Sequence, residues 1–305
     1  MAATFQEATS VSRINSHTYA ANFNTEWCVG SVPHGGVVTS VFLRVAAVHF
    51  QSTLAAQNQP HTITLHVEFL RRTQEGPATL TVRDVKLGRQ ASTIHITLSQ
   101  DGREEVVGYL THSNLETEAG LSLKTRWSLH PPPPSTPVDF GALIAGEDPH
   151  WVELTDKPFP KFRKVTHRAR TFLPREGQRV PGIVDEWLRL DSGEPFTNES
   201  VGFASDFFSS VVADLWRKEN VNIPIPAFWF PTLLLNIDFK KSLPPQGVDW
   251  LFVRVQTKSV KNGRMDLDVV ILDEVGEIVA LSHHVALIVG AERNLAARRN
   301  GETKI

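Results

Sequence analysis

A single cysteine, Cys28, stands in a chain of 305 residues. One thiol cannot build an internal disulfide framework or a cysteine-based zinc site, and it fits a reducing compartment. Charge of one sign is also missing: the formal net charge is −2, so neither a nucleic acid nor an anionic membrane surface is announced as a partner. No apolar run is long enough to span a bilayer. Residues 1–12 have no apolar stretch behind positive charge, so no secretory signal is expected. The last residues, Glu302-Thr303-Lys304-Ile305, do not match the Ser-Lys-Leu peroxisomal address. A cytoplasmic protein is the expectation. The Gly-x-Ser-x-Gly elbow of serine α/β-hydrolases is absent. So are the Walker and dinucleotide glycine fingerprints, and no cofactor or metal is expected.

Apolar residues make up 41% of the chain, enough to bury a sizeable core, and the length suits two domains or one large one. The greasiest stretch is residues 201–216. Phe203, Phe207, Val211 and Leu215 are spaced four apart, which predicts one helix with a broad apolar face. Asp206 sits among these aromatics near the predicted helix start. A carboxylate there either caps the helix or takes part in chemistry. A second helix is expected over residues 37–54, opened by Pro33-His34-Gly35-Gly36. Its two glycines permit close backbone approach and leave free N–H groups at the helix start.

Strands follow the first helix. Residues 62–69 alternate, with Ile63, Leu65, Val67 and Phe69 on one side and Thr62, Thr64, His66 and Glu68 on the other. Residues 78–86, 92–99 and 105–111 continue as strands, with Gly88 and Asp101-Gly102 marking turns. The second half repeats the pattern. Residues 62–69 align with 232–239, Thr62 with Thr232 and Phe69 with Phe239. Residues 80–86 align with 252–258, Gly88-Arg89 with Gly263-Arg264, and Asp101-Gly102 with the turn at 273–276. Residues 107–112 align with 279–284, which pairs His112 with His284. A period this long means two copies of one domain rather than a solenoid. The expected division is residues 1–114, a Pro-rich linker over 115–160 whose prolines at 131–134 act as a stiff spacer, and residues 161–305. Each copy is a helix plus an antiparallel meander, an α+β plan with the sheet curled round a buried helix.

This arrangement resembles the double-hotdog proteins, specifically the acyl-CoA thioesterase II family and its thioesterase-like relatives. Pro33-His34-Gly35-Gly36 looks like that family's Gly-Gly helix start. Glu186-Trp187-Leu188-Arg189-Leu190 looks like its second-half entry strand, and Ala204-Ser205-Asp206-Phe207 like the segment with its catalytic aspartate. Pro231-Thr232 looks like the start of the strand with its catalytic threonine. Residues 273–280 look like its Asp-Gly-x-Leu-Val-Ala stretch. The resemblance implies two fused hotdog domains and hydrolysis of an acyl thioester, on coenzyme A or a carrier. In the family an Asp, a Thr and a Gln hold the attacking water. The first two map to Asp206 and Thr232, and the Gln position maps to His284, a departure. Histidine titrates near neutral pH and can act as a base where glutamine cannot. The exchange therefore leaves open a non-hydrolytic reaction on a biosynthetic intermediate (cyclisation, isomerisation or elimination), as well as a non-catalytic acyl binder. The hotdog hydratases carry Asp followed closely by Asn-Pro and a His; here Phe207-Phe208-Ser209 follow Asp206.

His34, Gly35 and Gly36 are candidate contacts for the thioester or the pantetheine arm. Trp27, Phe203 and Phe207 are candidate walls of an acyl tunnel, with core packing the competing role. Arg89 and Arg264 are turn residues or contacts for coenzyme A phosphates. The carboxylate pairs Asp185-Glu186 and Asp266-x-Asp268 read as solvated faces. An exposed sheet edge predicts a homodimer or higher homo-oligomer.

Overall fold

The structure is a computed structural model that describes residues 3–134, 137–220 and 222–296. In the first half, strand β1 (Thr18–Phe23) leads to helix α1 (Gly35–Ser52), followed by β2 (His61–Phe69), β3 (Gly76–Lys86), β4 (Ser92–Gln100) and β5 (Arg103–Ser113). Then come α2 (Phe140–Ala145), β6 (Trp151–Glu153), β7 (Ala169–Pro174) and β8 (Ile183–Leu190). Helices α3 (Val201–Asp206) and α4 (Val211–Glu219) precede β9 (Thr232–Phe239), β10 (Leu251–Gln256), β11 (Arg264–Leu272) and β12 (Ile278–Leu287).

The strands form one antiparallel sheet in the order β1-β3-β4-β5-β2-β9-β12-β11-β10-β8-β7-β6, with the short strand Val11–Arg13 outside β1. Each half thus repeats the same strand order in mirror sequence about the β2–β9 seam. The seam is self-complementary. Glu68 pairs with Leu234 and Thr64 with Asp238, so each half offers the same positions to the other, centred on the His66–Asn236 pair. The His66 ring Nδ1 lies 2.8 Å from Asn236 Oδ1. This is the isologous geometry of a two-fold dimer, drawn into one chain.

The concave face wraps α1 and α3, and here two glycines decide how close the helices come. A Cβ on Gly36 would sit 2.8 Å from the Phe203 carbonyl oxygen, and one on Gly202 would sit 3.0 Å from Ser40 Oγ. Phe42, Val38 and Val41 of α1 and Phe203 and Ala204 of α3 are fully buried in this layer.

Three expectations change. The single helix over 201–216 is two helices broken at residues 207–210. Ser210 caps the second by accepting the Ala213 N–H (3.1 Å), and Ser209 N–H is taken by the Glu186 carboxylate (3.1 Å). Asp206 is consequently the last residue of α3, not a residue near the start of a long helix. The stretch between the halves is more than a spacer. It contributes α2 and β6, and its Phe140, Leu143 and Trp151 cover Phe172, Trp187, Trp250 and Phe252 in a second apolar cluster. Finally, the ladders pair His112 with Thr62 but Ala286 with Thr232, while His284 faces Leu235. His112 therefore corresponds to Ala286, and His284 to Leu110, a shift of two that keeps the side-chain face.

Gly36→Ala forces the α1–α3 contact apart against a backbone carbonyl. We expect a loss of about 1–3 kcal/mol of stability, read as a lower denaturation midpoint in urea. An unchanged midpoint would contradict the close packing.

Candidate active site

Asp206 ends α3 because the chain leaves the helix at Phe207. A carboxylate at the C-terminal end of its own helix is disfavoured by the local backbone dipoles, and another helix start compensates. Helix α1 begins beside it: a Cβ on Gly35 would lie 2.6 Å from Asp206 Oδ2, and His34 Nδ1 is 3.7 Å from the same oxygen. Only glycine at position 35 lets the carboxylate sit this close to the first turn. On the other side, Thr232 Oγ donates to Asp206 Oδ1 (3.3 Å). Thr232 stands at an irregularity in the β9–β12 ladder, between residues 232 and 234, a device that re-aims a strand-end side chain.

His284 approaches Asp206 Oδ1 through Nδ1 at 3.5 Å. Its other nitrogen settles its tautomer. Nε2 lies 2.9 Å from Ser282 Oγ, and Ser282 Oγ lies 2.6 Å from the Asn236 carbonyl oxygen. A carbonyl has no proton to give, so the Ser282 hydroxyl donates to Asn236 and must accept from His284 Nε2–H. The neutral ring would then turn a bare Nδ1 toward the Asp206 carboxylate. The contact is favourable when Nδ1 also carries a proton and the ring is an imidazolium. Ser282 and His284 share a face because they are two apart on one strand.

Burial works against ionising Asp206, but the bond from His284, the charges of His34 and His284 and the Gly36 N–H outweigh it, and its carboxyl lies below the ordinary value. Burial, aided by Arg163 and His284 and opposed by Asp206, pushes His34 below the usual histidine range. His34 is therefore neutral near pH 7, where its Nδ1 accepts the Gly36 N–H (3.2 Å).

A cavity of about 740 Å³ opens on this group, within the roughly 300–1,000 Å³ of small-molecule sites. His34, Gly35, Asp206, Phe207 and Thr232 stand on its wall, with Phe208, Val212, Phe230 and Leu267 among its apolar lining. Other expected site residues fall elsewhere. Trp27 packs between Phe5 and Phe203, at 5.6 Å from each ring, and its indole N–H bonds Ala3 O. Trp27 and Phe203 are core residues and do not line the cavity. Gly36 lies against Phe203, one step behind the wall. His284 is fully buried behind Asp206 and is not on the cavity wall. Arg89 and Arg264 are exposed, and neither is on the wall.

The first half carries a different arrangement. His112 Nδ1 must donate to the Gln59 carbonyl (3.1 Å), so Nε2 accepts from Thr62 Oγ (2.8 Å). Burial holds His112 neutral, down to about 3, and its ring stacks on Phe50 at 4.0 Å. This is a satisfied core histidine of the opposite tautomer.

The pair Asp185-Glu186 is not a solvated face. Asp185 makes a buried two-pronged bond to Arg254 (2.6 and 2.7 Å). Glu186 is fully buried, and burial raises its carboxyl to about 7 against the bonds from Ser209. By holding Ser209 it fixes the break that ends α3 at Asp206. One sign of it was available in the sequence: Glu186 alternates with Val184, Leu188 and Leu190, which puts a carboxylate on an apolar strand face.

Comparison with known proteins follows the same lines. Residues 23–113 match the acyl-CoA thioesterase N-terminal domain and residues 130–288 the acyl-CoA thioesterase C-terminal domain. The thioesterase-like protein TwmA of Talaromyces wortmannii is 36% identical over 99% of this chain and 96% of its own length. Among solved structures, an acyl-CoA thioesterase II from Mycobacterium marinum superposes with a TM-score of 0.65 at 17% identity, covering 94% of this chain and 98% of its own. A protein with a hot dog fold from Alicyclobacillus acidocaldarius superposes with a TM-score of 0.70 at 17% identity, covering 95% and 99%.

The folded Glu186 carboxyl binds its proton more tightly than the unfolded one. Its contribution to stability is therefore full below about 4.5 and lost as pH rises through about 7. Glu186→Gln should flatten this part of the stability profile, removing a fall on the order of 3 kcal/mol. Urea unfolding at pH 5 and pH 8 checks it; an equal slope in both proteins would contradict the assignment.

Proposed function

The chain belongs to the acyl-CoA thioesterase family, and on that premise we propose that it hydrolyses an acyl thioester, carried by coenzyme A or an acyl carrier, with Asp206 as the general base. The observation that carries this reading is a carboxylate on the wall of a largely apolar cavity, with a hydroxyl and a helix start beside it. The acyl chain lies along the apolar lining. A water held between Asp206 and Thr232 Oγ attacks the thioester carbonyl carbon, and Asp206 accepts its proton. The carbonyl oxygen becomes an oxyanion opposite the first turn of α1. The Gly35 N–H has no intrahelical acceptor there, and the helix start favours negative charge. The C–S bond then breaks, and the proton held by Asp206 passes to the departing sulfur. His284 does not touch the substrate. It is a positioning residue that faces Asp206 from behind, with its Nε2–H held by Ser282 Oγ.

The same carboxylate could remove a proton next to the thioester carbonyl, with neutral His34 as its partner on the wall. That second reading, a non-hydrolytic step, is favoured by the histidine at position 284 and predicts product formation without free thiol.

Thiol release from short, medium and long acyl-CoAs tests the first reading. Asp206→Asn should lower turnover about 10²–10⁴-fold, and Thr232→Val about ten- to hundredfold, both with an unchanged fold by circular dichroism. Because the Asp206 carboxyl lies below its ordinary value, activity should hold as pH falls toward 5 and decline only below the usual carboxylate range. Wild type that releases no thiol from any chain length would overturn the hydrolytic reading.

A further inference from the structure

The cavity wall contains more positive than negative charge, and most of those cations are accounted for. Lys157 gives its ammonium to the Thr166 and Ala169 carbonyls (2.6 and 2.8 Å). Arg72 binds the Arg293, Asn294 and Ala296 carbonyls. Arg217 and Arg293 are exposed, where water solvates them.

Arg163 differs. It stands on the cavity wall at the start of the turn Lys164–Arg168. Its guanidinium lies over the Phe230 ring, 5.3 Å from the centroid. The one hydrogen bond of the guanidinium among the described residues is a long one, from Nη2 to the Phe228 carbonyl (3.4 Å). Nε is shielded from solvent and has no partner. Burial pulls its pKa down, and no acid among the described residues pushes it back. A guanidinium does not shed its proton in a protein, so it cannot escape the cost of burial by neutralising itself. A half-buried cation with an unpartnered, shielded Nε and no counter-charge gains from an anion that enters the cavity. Asp206 is already engaged by His284, Thr232 and the start of α1. The Phe230 ring under Arg163 stands two residues before Thr232, the partner of Asp206, which places the guanidinium toward the reacting end of the cavity. The phosphates of coenzyme A or of a carrier are separated from the thioester by the whole pantetheine arm.

We propose that Arg163 recognises a carboxylate carried on the acyl group itself, so that the substrate is the half-thioester of a dicarboxylic acid or a comparably acidic acyl chain. This rests on the thioester reading above. A carboxylate matches the planar guanidinium fork and replaces the missing counter-charge, whereas a purely hydrocarbon chain leaves it unpaired.

The test measures kcat/KM for N-acetylcysteamine and coenzyme A thioesters of dicarboxylic acids and of monocarboxylic acids of equal length, from five to twelve carbons. Wild type, Arg163→Met and Arg163→Lys are compared. We expect wild type to favour the acidic chain by about tenfold or more at its preferred length, on both carriers. The ratio should fall toward one in Arg163→Met and recover in part in Arg163→Lys. No acidic preference in wild type, or a preference that survives in Arg163→Met, overturns the proposal. A loss in Arg163→Met confined to coenzyme A thioesters, equal for both chain types, also overturns it, because the residue then reads the carrier's phosphates.

Binding separates this outcome from failure of the hydrolytic reading. Calorimetry with monomethyl dicarboxylates and with methyl esters of the matching monocarboxylic acids needs no turnover. Tighter binding of the half-esters to wild type, lost in Arg163→Met, supports the anion site even if no thiol is ever released. Equal or absent binding of both ligand classes across the series contradicts it. Thermal unfolding of each variant verifies that the fold is intact.

Discussion

The contact between the Asp206 carboxylate and its surroundings is the constraint on which the rest of the site depends. A buried carboxylate at the end of its own helix should be protonated or displaced. It stays ionised because the start of α1 comes within touching distance and because His284 faces it from behind. Each of these supports needs something further away. The approach of α1 requires glycine at 35 and 36, since a Cβ at either would strike Asp206 or the Phe203 carbonyl. The position of His284 requires the Ser282–Asn236 bond. The end of α3 at Asp206 requires Glu186 to hold Ser209. The site is thus assembled from five segments that are distant in sequence and adjacent across two helices and the sheet.

The two halves share one plan and differ in what they do with it. The β2–β9 seam pairs equivalent positions, as two copies in a symmetric dimer would. Symmetry ends at the threonines. Thr62 satisfies a neutral core histidine, whereas Thr232, with Ala286 opposite, is free to meet Asp206 and the cavity. A residue as small as alanine at 286 leaves space that His112 fills in the first half. Fusion lets one half become a packed support while the other keeps a carboxylate on a cavity wall.

Much of the fold was legible in the sequence because its signals are local or periodic. Alternation marked residues 62–69 and 232–239 as strands, and their likeness announced the repeat. Asp206 and Thr232 could be paired only through resemblance to the thioesterase family, since nothing local joins two residues 26 apart. The break at 207–210 was not legible: the apolar spacing continues through it, and the group that stabilises it, Glu186, is supplied by another strand. The burial of Asp185 depends on Arg254, likewise distant. Trp27 and Phe203 have the composition of a pocket wall, but the core and the cavity draw on the same residue types, and only packing distinguishes them. Ser282 needed three-dimensional information of a finer kind, because its role follows from which atom owns a proton.

The central claim is that water, activated by Asp206, attacks the thioester directly. A single turnover in ¹⁸O-labelled water, with enzyme in excess over a cleaved thioester, measures this. The account predicts one ¹⁸O atom in the acid released in that first turnover and none in the peptide containing Asp206. Unlabelled acid with ¹⁸O in the Asp206 carboxyl would mean that the carboxylate is a nucleophile forming an anhydride, and absence of any released acid would mean that the cavity serves another reaction.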